Sequence, residues 1–125
     1  MSDADLRFRP APDGTALVDA TTGLAWELAP EATPLRWHEA LASTQASGWR
    51  LPTVSELVVL LTSLPSDHPF PGEPRPGDLF WSASESPFAP ATRVRAVEIG
   101  ADLRAAVLLL DKDALARRWR VRDRS

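Results

Sequence analysis

Several residue types that commonly carry protein chemistry are absent or scarce in this chain. It contains no cysteine, tyrosine or asparagine, and only one lysine and one methionine. Without cysteine, these residues form no disulfide, thiolate zinc site or cysteine nucleophile, and such a composition is typical of a reducing compartment. The longest apolar run, 105–110, is far shorter than the roughly 20 residues of a membrane-spanning helix. The acidic N-terminus also lacks a signal-peptide pattern, so we predict a cytoplasmic protein without membrane association.

The size and charge of the chain limit its organisation and its partners. Its 125 residues suit a single domain, which we place at 1–125 with a core over about 15–122. A net charge of −3 argues against nucleic acid as the partner. Twelve prolines are present, and five of them lie within 65–78. Because proline interrupts both helices and central strands, we predict a long surface loop there.

The periodicity of apolar residues predicts an α+β fold. Thr53 and Glu56 form a capping-box pattern and leucines recur after them at helical spacing, which predicts a helix that ends before Pro65. A shorter helix is predicted over 36–44. Alternating or continuous apolar runs predict strands over 6–9, 16–19, 24–28, 93–99, 103–110 and 116–122. A helix over 103–115 is an alternative on periodicity alone.

Five segments, in order along the chain, match a known bacterial family. The most distinctive reads Gly-Trp-Arg-Leu-Pro-Thr-Val-Ser-Glu-Leu over 48–57. The chain resembles the family named after the C-terminal domain of the Legionella collagen-like protein (Lcl), and the matching motif residues are Asp19, Gly23, Trp26, Trp37, Trp49, Arg50, Pro52, Thr53, Glu56, Trp81 and Ser82. The chain departs from the family pattern at Arg36 and Ala83, where the family has threonine and serine. The resemblance implies a C-type-lectin-like domain with two helices, small antiparallel sheets and long irregular loops, related in fold to formylglycine-generating enzymes.

The motif residues have two interpretations, one functional and one architectural. Arg50 could bind an anionic ligand, but its rigid guanidinium fork also suits backbone carbonyls or the carboxylate of Glu56, and we favour that structural role. The motif tryptophans could stack against sugar rings, or could fill the core of a small domain. Because each indole buries a large apolar area, we expect most of them in the core.

No constellation in the sequence indicates catalysis or a metal site. His38 and His68 are the only histidines, and neither belongs to a metal-ligand motif. Because the 125 residues include no cysteine, they cannot perform the thiol-dependent oxidation of the related formylglycine-generating enzymes. We therefore predict no enzyme, no catalytic residue, no metal and no cofactor.

Arginine is concentrated near the end of the chain and suggests a binding surface. Arginines alternate along the last predicted strand, on the face opposite Trp119 and Val121. The candidate ligand-binding residues are Arg93, Arg95, Arg118, Arg120, Arg122 and Trp81. A basic face of this kind could bind a sulfated glycan, a nucleic acid or an acidic protein. Alternatively, its charges are paired with Glu98, Asp102 and Asp123.

These observations together predict a non-enzymatic binding module. Its ligand is a protein or a glycan, including a sulfated or acidic glycan, bound through loops and the arginine-rich strand. The alternative is a cytoplasmic interaction or assembly protein, either an accessory factor or phage-derived, that binds no glycan. The sequence leaves open whether the chain forms a homo-oligomer.

Overall fold

Within the residues that the structure describes, the chain combines short strands with two helices. The computed structural model describes residues 7–44, 48–64, 68–70, 74–102 and 104–123. The elements in these ranges are β1 (Phe8–Pro10), β2 (Ala16–Asp19), β3 (Leu24–Glu27), α1 (Trp37–Ala42), α2 (Val54–Ser63), β4 (Leu79–Glu85), β5 (Arg93–Ile99), β6 (Ala105–Asp111) and β7 (Val121–Asp123). These strands form two antiparallel sheets, with the orders β1-β2-β3-β7 and β4-β5-β6. The predicted α+β class is therefore confirmed.

The first sheet begins with tight turns at the positions that the turn residues predict. Between β2 and β3, Gly23 adopts a φ of +76°, and its N–H donates to the carbonyl of Asp19 at 2.8 Å. A residue with a side chain would be strained at that φ, which explains the glycine in this motif. Leu6, where the first predicted strand begins, lies outside the described residues, and β1 starts at Phe8.

Both helices lie close to their predicted positions. In α2, the Thr53 hydroxyl accepts from the Glu56 N–H at 3.2 Å, and the Glu56 carboxylate accepts from the Thr53 N–H at 2.8 Å. The predicted capping box is thus confirmed. In α1, the arginine side chain at the N-cap cannot accept a hydrogen bond, and only the reciprocal bond from the Arg36 N–H to Glu39 is present, at 2.9 Å. No helix within the described ranges is long and apolar enough to cross a membrane.

The C-terminal segment 116–123 connects the two sheets. Ala116 exchanges two backbone hydrogen bonds with Leu35, at 2.8 and 3.0 Å, and the next residue forms a parallel bridge to Phe80 in β4. Only β7 is a regular strand, and it pairs with β3. The predicted strand over 116–122 is therefore wrong over 116–120, because the chain passes there from one sheet to the other.

Strand β4 has no alternating pattern and is not predicted from the sequence. Phe80, Trp81 and Ser82 follow one another and are all fully buried. Since adjacent residues of a strand point to opposite faces, both faces of β4 are covered. Phe80 packs in the cluster that contains Trp119 and the α2 leucines, whereas Trp81 packs in the cluster of α1.

Strand β6 confirms the strand interpretation of the run over 103–110. All seven of its residues, Ala105–Asp111, pair with residues of β5. The helix alternative is therefore wrong for this run. Leu103, where the predicted strand begins, lies outside the described residues.

The main core is aromatic and includes a residue of the proline-rich loop. Trp119 has no exposed surface, and the rings whose centroids lie within 5.1 to 5.7 Å of its own belong to Phe70, Phe80 and Trp26. Phe70 also packs edge-on against Phe8 at 5.2 Å. The predicted surface loop is thus anchored in the core at Phe70, whereas 65–67 and 71–73 lie outside the described residues.

Candidate functional site

The outward face of the first sheet carries a row of side chains from four strands. The register pairs Arg9 with Val18, and Val18 with Ala25. Ala25 is paired in turn with Arg122 of β7. Because directly paired residues project to the same face, these four side chains form one row, which we call the outer row. Strands lie about 4.8 Å apart, so three intervals place the Cα atoms of Arg9 and Arg122 about 14 Å apart.

A groove of about 810 Å³ lies over the outer row, and all four residues of the row line it. Its size falls within the range of about 300–1,000 Å³ that is usual for ligand sites. The apolar lining consists of small side chains, among them Ala11, Val18 and Ala25. Asp13 and Asp123 also line the groove. The groove therefore offers both signs of charge around an apolar floor.

Arg122 is held at the rim of the groove by an aromatic ring and a carboxylate. Its guanidinium carbon lies 4.6 Å from the centroid of the Trp49 ring, and its Nη2 lies 3.2 Å from Asp13 Oδ2. Hydrogen bonds from the backbone and hydroxyl of Thr15 are the main cause of a lowered pKa at Asp13, so this carboxylate stays ionised beside Arg122. At the other end of the row, Arg9 is exposed and forms no ion pair with any residue of the described ranges.

The other arginines near the end of the chain are paired with carboxylates of the first sheet and the loop after it. Arg120 Nη2 lies 2.6 Å from Glu27 Oε2, and Arg118 Nη2 lies 3.6 Å from Glu31 Oε2. The predicted pairing of these arginines with carboxylates is thus confirmed. Of the partners predicted from the sequence, Asp102 does pair with an arginine, Arg104, at 3.4 Å. The prediction is wrong for Arg118 and Arg120, whose partners are glutamates of the first sheet and its following loop. This strand therefore presents little uncompensated positive charge.

Arg93 and Arg95 do not belong to the same surface as the C-terminal arginines. Both lie on β5 in the second sheet, whereas β7 pairs with β3 in the first. The prediction of a single basic face is therefore wrong. It depended on the last strand being a neighbour of β5, and strand order cannot be deduced from the arginine pattern alone.

Trp81 lies in the core and not at a binding surface. It has no exposed area, and its indole N–H donates to the carbonyl of Leu35 at 2.7 Å. The indole of Trp37 is similarly tied, by a 3.0 Å hydrogen bond to the carbonyl of Ser82. The prediction that Trp81 binds a ligand is thus wrong, and the expectation that it is an architectural residue is confirmed. Of the five tryptophans, Trp49 is half-buried, and the other four are at most 6% exposed.

Arg50 joins the first sheet to α2. Its Nη1 and Nη2 donate to the two carboxylate oxygens of Glu56, both at 2.7 Å, and Nη2 also lies 3.0 Å from Asp123 Oδ1. The Arg50 backbone exchanges two hydrogen bonds with Val121, at 2.8 and 2.9 Å. The predicted structural role of Arg50 is therefore confirmed.

Replacement of Glu56 by glutamine is expected to make the free energy of unfolding depend less on pH in the acid range. The hydrogen bonds from Arg50 are the largest influence on Glu56 and lower its pKa below the ordinary value, although burial opposes them. A lowered folded-state pKa stabilises the protein above the unfolded-state pKa, and this stabilisation is lost as the pH falls through the folded-state pKa. Glu56→Gln should therefore cost about 1–2 kcal/mol at neutral pH, and less in acid.

Urea unfolding across the acid range measures this effect. The control is Glu98→Gln, which removes an exposed carboxylate from β5 and should keep the pH dependence of the wild type. If Glu56→Gln also keeps that dependence, the ion pair with Arg50 contributes no stability.

Arg9 and the small residues of the groove floor are not predicted as site residues. The alternation around Arg9 indicates only that it faces away from the core. Its alignment with Arg122 depends on three successive strand registers. In the part of the chain that the structure describes, no three histidine, aspartate or glutamate side chains converge as metal ligands would.

The sequence matches no protein-family model, and no curated protein matches it significantly. The role of the groove therefore has to be argued from the chemistry of its own residues. The outer row supplies that chemistry, since it combines two cations with a small apolar floor.

Proposed function

We propose that this chain is a non-enzymatic binding module whose groove takes an acidic segment of another protein. The observation that carries the proposal is the outer row, in which two arginines bracket Val18 and Ala25. A matching ligand has two anionic groups about 14 Å apart and a small apolar stretch between them. In an extended segment, residues four positions apart share a face and lie about 13 Å apart. Two acidic side chains at such positions fit the two arginines.

The same proposal includes a C-type-lectin-like fold and kinship with the Lcl C-terminal family. It is supported by the two helices, the two small antiparallel sheets, and the presence of the first and last strands in one sheet. The motif tryptophans Trp26, Trp37 and Trp81 are buried, as expected of architectural residues. The ligand then binds at the outer row, in which Ala25 and Arg122 lie in segments that resemble the family and Arg9 precedes them.

Two features favour a protein ligand over a glycan. Trp49 is the one half-buried tryptophan, and the guanidinium carbons of Arg120 and Arg122 lie 5.2 and 4.6 Å from its ring centroid. Its ring is therefore already engaged in cation–π contacts and is a poor platform for a sugar. A polysulfated chain also finds few uncompensated cations, because Arg118 and Arg120 have carboxylate partners. In the outer row, Arg122 shares its charge with the exposed Asp13, so an acidic ligand has to compete with Asp13 there.

The proposal is tested by NMR titration with a five-residue peptide that has glutamate at both ends and alanine or valine between. Amide shifts should cluster on the strands of the first sheet. Arg9→Gln and Arg122→Gln should each weaken binding about tenfold, since each removes a charge-assisted hydrogen bond. The matched control is Arg93→Gln, which removes an exposed arginine from the second sheet and should bind as the wild type does.

Changes to the ligand separate the two ligand classes. A peptide with one glutamate replaced by glutamine should lose about as much affinity as Arg9→Gln does. A heparin tetrasaccharide is the glycan probe. If it shifts the first-sheet amides and the peptide does not, the ligand is a glycan and the proposal is wrong. Peptide binding that neither Arg9→Gln nor Arg122→Gln weakens would also overturn it.

A further inference from the structure

The turn between β1 and β2 places a carboxylate of the protein itself at one end of the groove. Asp13 lines the groove together with Arg122, and its two carboxylate oxygens lie 3.4 and 3.2 Å from Arg122 Nη2. The Asp13 side chain is 50% exposed and that of Arg122 is 28% exposed. A ligand that occupies the groove therefore meets both members of this ion pair.

Asp13 is fixed at this position by contacts that do not involve Arg122. Its Oδ1 accepts hydrogen bonds from the backbone N–H and the hydroxyl of Thr15, at 3.1 and 2.8 Å. An aspartate that bonds the main chain two residues further on holds its side chain against its own turn. The hydrogen bonds from Thr15 also lower the pKa of Asp13, which keeps the carboxylate charged at neutral pH. The groove thus contains a negative charge that is already in place.

Arg122 is likewise held by contacts that do not involve Asp13. Its backbone belongs to β7, where it is paired with Ala25. Its guanidinium carbon lies 4.6 Å from the centroid of the Trp49 ring. The hydrogen bonds with Asp13 reach one guanidinium nitrogen, Nη2. Asp13 therefore changes the charge that Arg122 offers more than it changes the position of the guanidinium.

We propose that Asp13 is a specificity-determining residue of the groove, because it competes with an acidic ligand for Arg122. This inference rests on the proposed function, since it requires an anionic ligand at the outer row. A ligand carboxylate that reaches Arg122 either displaces Asp13 or lies beside it. Displacement breaks an existing ion pair, and sharing brings two negative charges together, so each weakens binding at this end.

The two ends of the outer row then differ in their affinity for an anion. Arg9 is exposed and forms no ion pair with any residue of the described ranges, so an acidic group meets no such competitor there. A ligand with a single acidic group accordingly binds at Arg9 in preference to Arg122. A second acidic group adds affinity at Arg122, but less than it would without Asp13.

Asp13→Asn tests the competition, because asparagine removes the charge but keeps an oxygen that can accept from Thr15. In the NMR titration, the five-residue peptide with two glutamates should bind this variant about threefold more tightly than it binds the wild type, an effect of the size usual for an exposed ion pair. The matched control is Asp102→Asn in the turn between β5 and β6. Asp102 also accepts from a backbone N–H two residues further on, that of Arg104, and pairs with its guanidinium. This control should bind the peptide as the wild type does.

A peptide with a single glutamate provides a second readout that leaves Asp13 unchanged. Arg9→Gln should weaken the binding of this peptide more than Arg122→Gln does. Equal weakening by the two variants overturns the inference.

The outcomes separate this inference from the proposed function. If the wild type binds the peptide with two glutamates through Arg9 and Arg122, but Asp13→Asn binds it no more tightly, the inference is wrong and the proposed function stands. If neither the wild type nor Asp13→Asn binds the peptide, with both folded by circular dichroism, both are wrong.

Discussion

Trp119→Ala is expected to lower the free energy of unfolding by about 4 kcal/mol, the largest effect that we predict for this chain. Trp119 has no exposed surface, and its ring lies against those of Trp26, Phe70 and Phe80. Its indole N–H also donates to the carbonyl of Glu27 at 2.8 Å. Alanine would leave a cavity at the centre of the aromatic cluster and an unpaired carbonyl in the first sheet.

Urea unfolding monitored by far-UV circular dichroism measures this loss. Trp119→Phe is the matched control, because it keeps an aromatic ring in the cluster but removes the hydrogen bond to Glu27. It should cost clearly less than Trp119→Ala, with about 1–2 kcal/mol attributable to the lost hydrogen bond. If Trp119→Ala costs less than about 1 kcal/mol, a value usual for surface positions, Trp119 does not hold the core together.

Asp19→Asn is expected to cost about 3 kcal/mol at neutral pH. Asp19 is 1% exposed and accepts two hydrogen bonds from the Arg7 guanidinium, at 3.0 and 2.9 Å. It also accepts from the backbone and the hydroxyl of Thr21, at 3.0 and 2.6 Å. Asparagine removes the charge that neutralises Arg7, whose side chain is only 12% exposed. A nearly buried cation would then lack its counter-charge, which is the main source of the loss.

The same substitution should change the response to acid. Burial alone would raise the pKa of Asp19, but the hydrogen bonds from Arg7 and Thr21 outweigh it and hold the pKa below its ordinary value. The stabilisation is therefore present above the unfolded-state pKa and is lost as the pH falls through the folded-state pKa. The difference between wild type and Asp19→Asn should accordingly shrink in acid.

Equilibrium unfolding at several pH values provides the measurement for Asp19. The control is Asp102→Asn, since Asp102 is 63% exposed and pairs with an exposed arginine. Such surface pairs contribute little, so this variant should unfold like the wild type. A pH-independent difference between wild type and Asp19→Asn would show that the carboxylate charge is not what stabilises the fold.

Features with local signals can be predicted from the sequence. The capping box of α2 depends on Thr53 and Glu56, three positions apart, and the turn at Gly23 depends on its own conformational freedom. The alternation over 16–19 also needs no knowledge of a distant partner, and β2 has those bounds. The contact between Arg50 and Glu56 belongs to the same class, because a capped helix start fixes the position of Glu56.

Features that depend on distant pairing cannot be predicted in this way. Arg9 and Arg122 form one row only because three registers align them, and no pattern within one strand reveals another strand's position. Phe70 lies in a stretch with the composition of a surface loop, yet its ring packs in the aromatic core. The fold class was therefore accessible from local patterns, whereas the candidate groove was not.

Segment 116–123 determines when the protein can complete its fold during synthesis. It is translated after every other described element, yet it covers the edge of β4 and supplies β7. A nascent chain that ends before Ala116 exposes Trp26 and Phe80, because Trp119 is not there to cover them. Contacts of such long sequence separation slow folding. We therefore expect β7 to pair with β3, and the edge of β4 to be covered, only after residues 116–123 have left the ribosome.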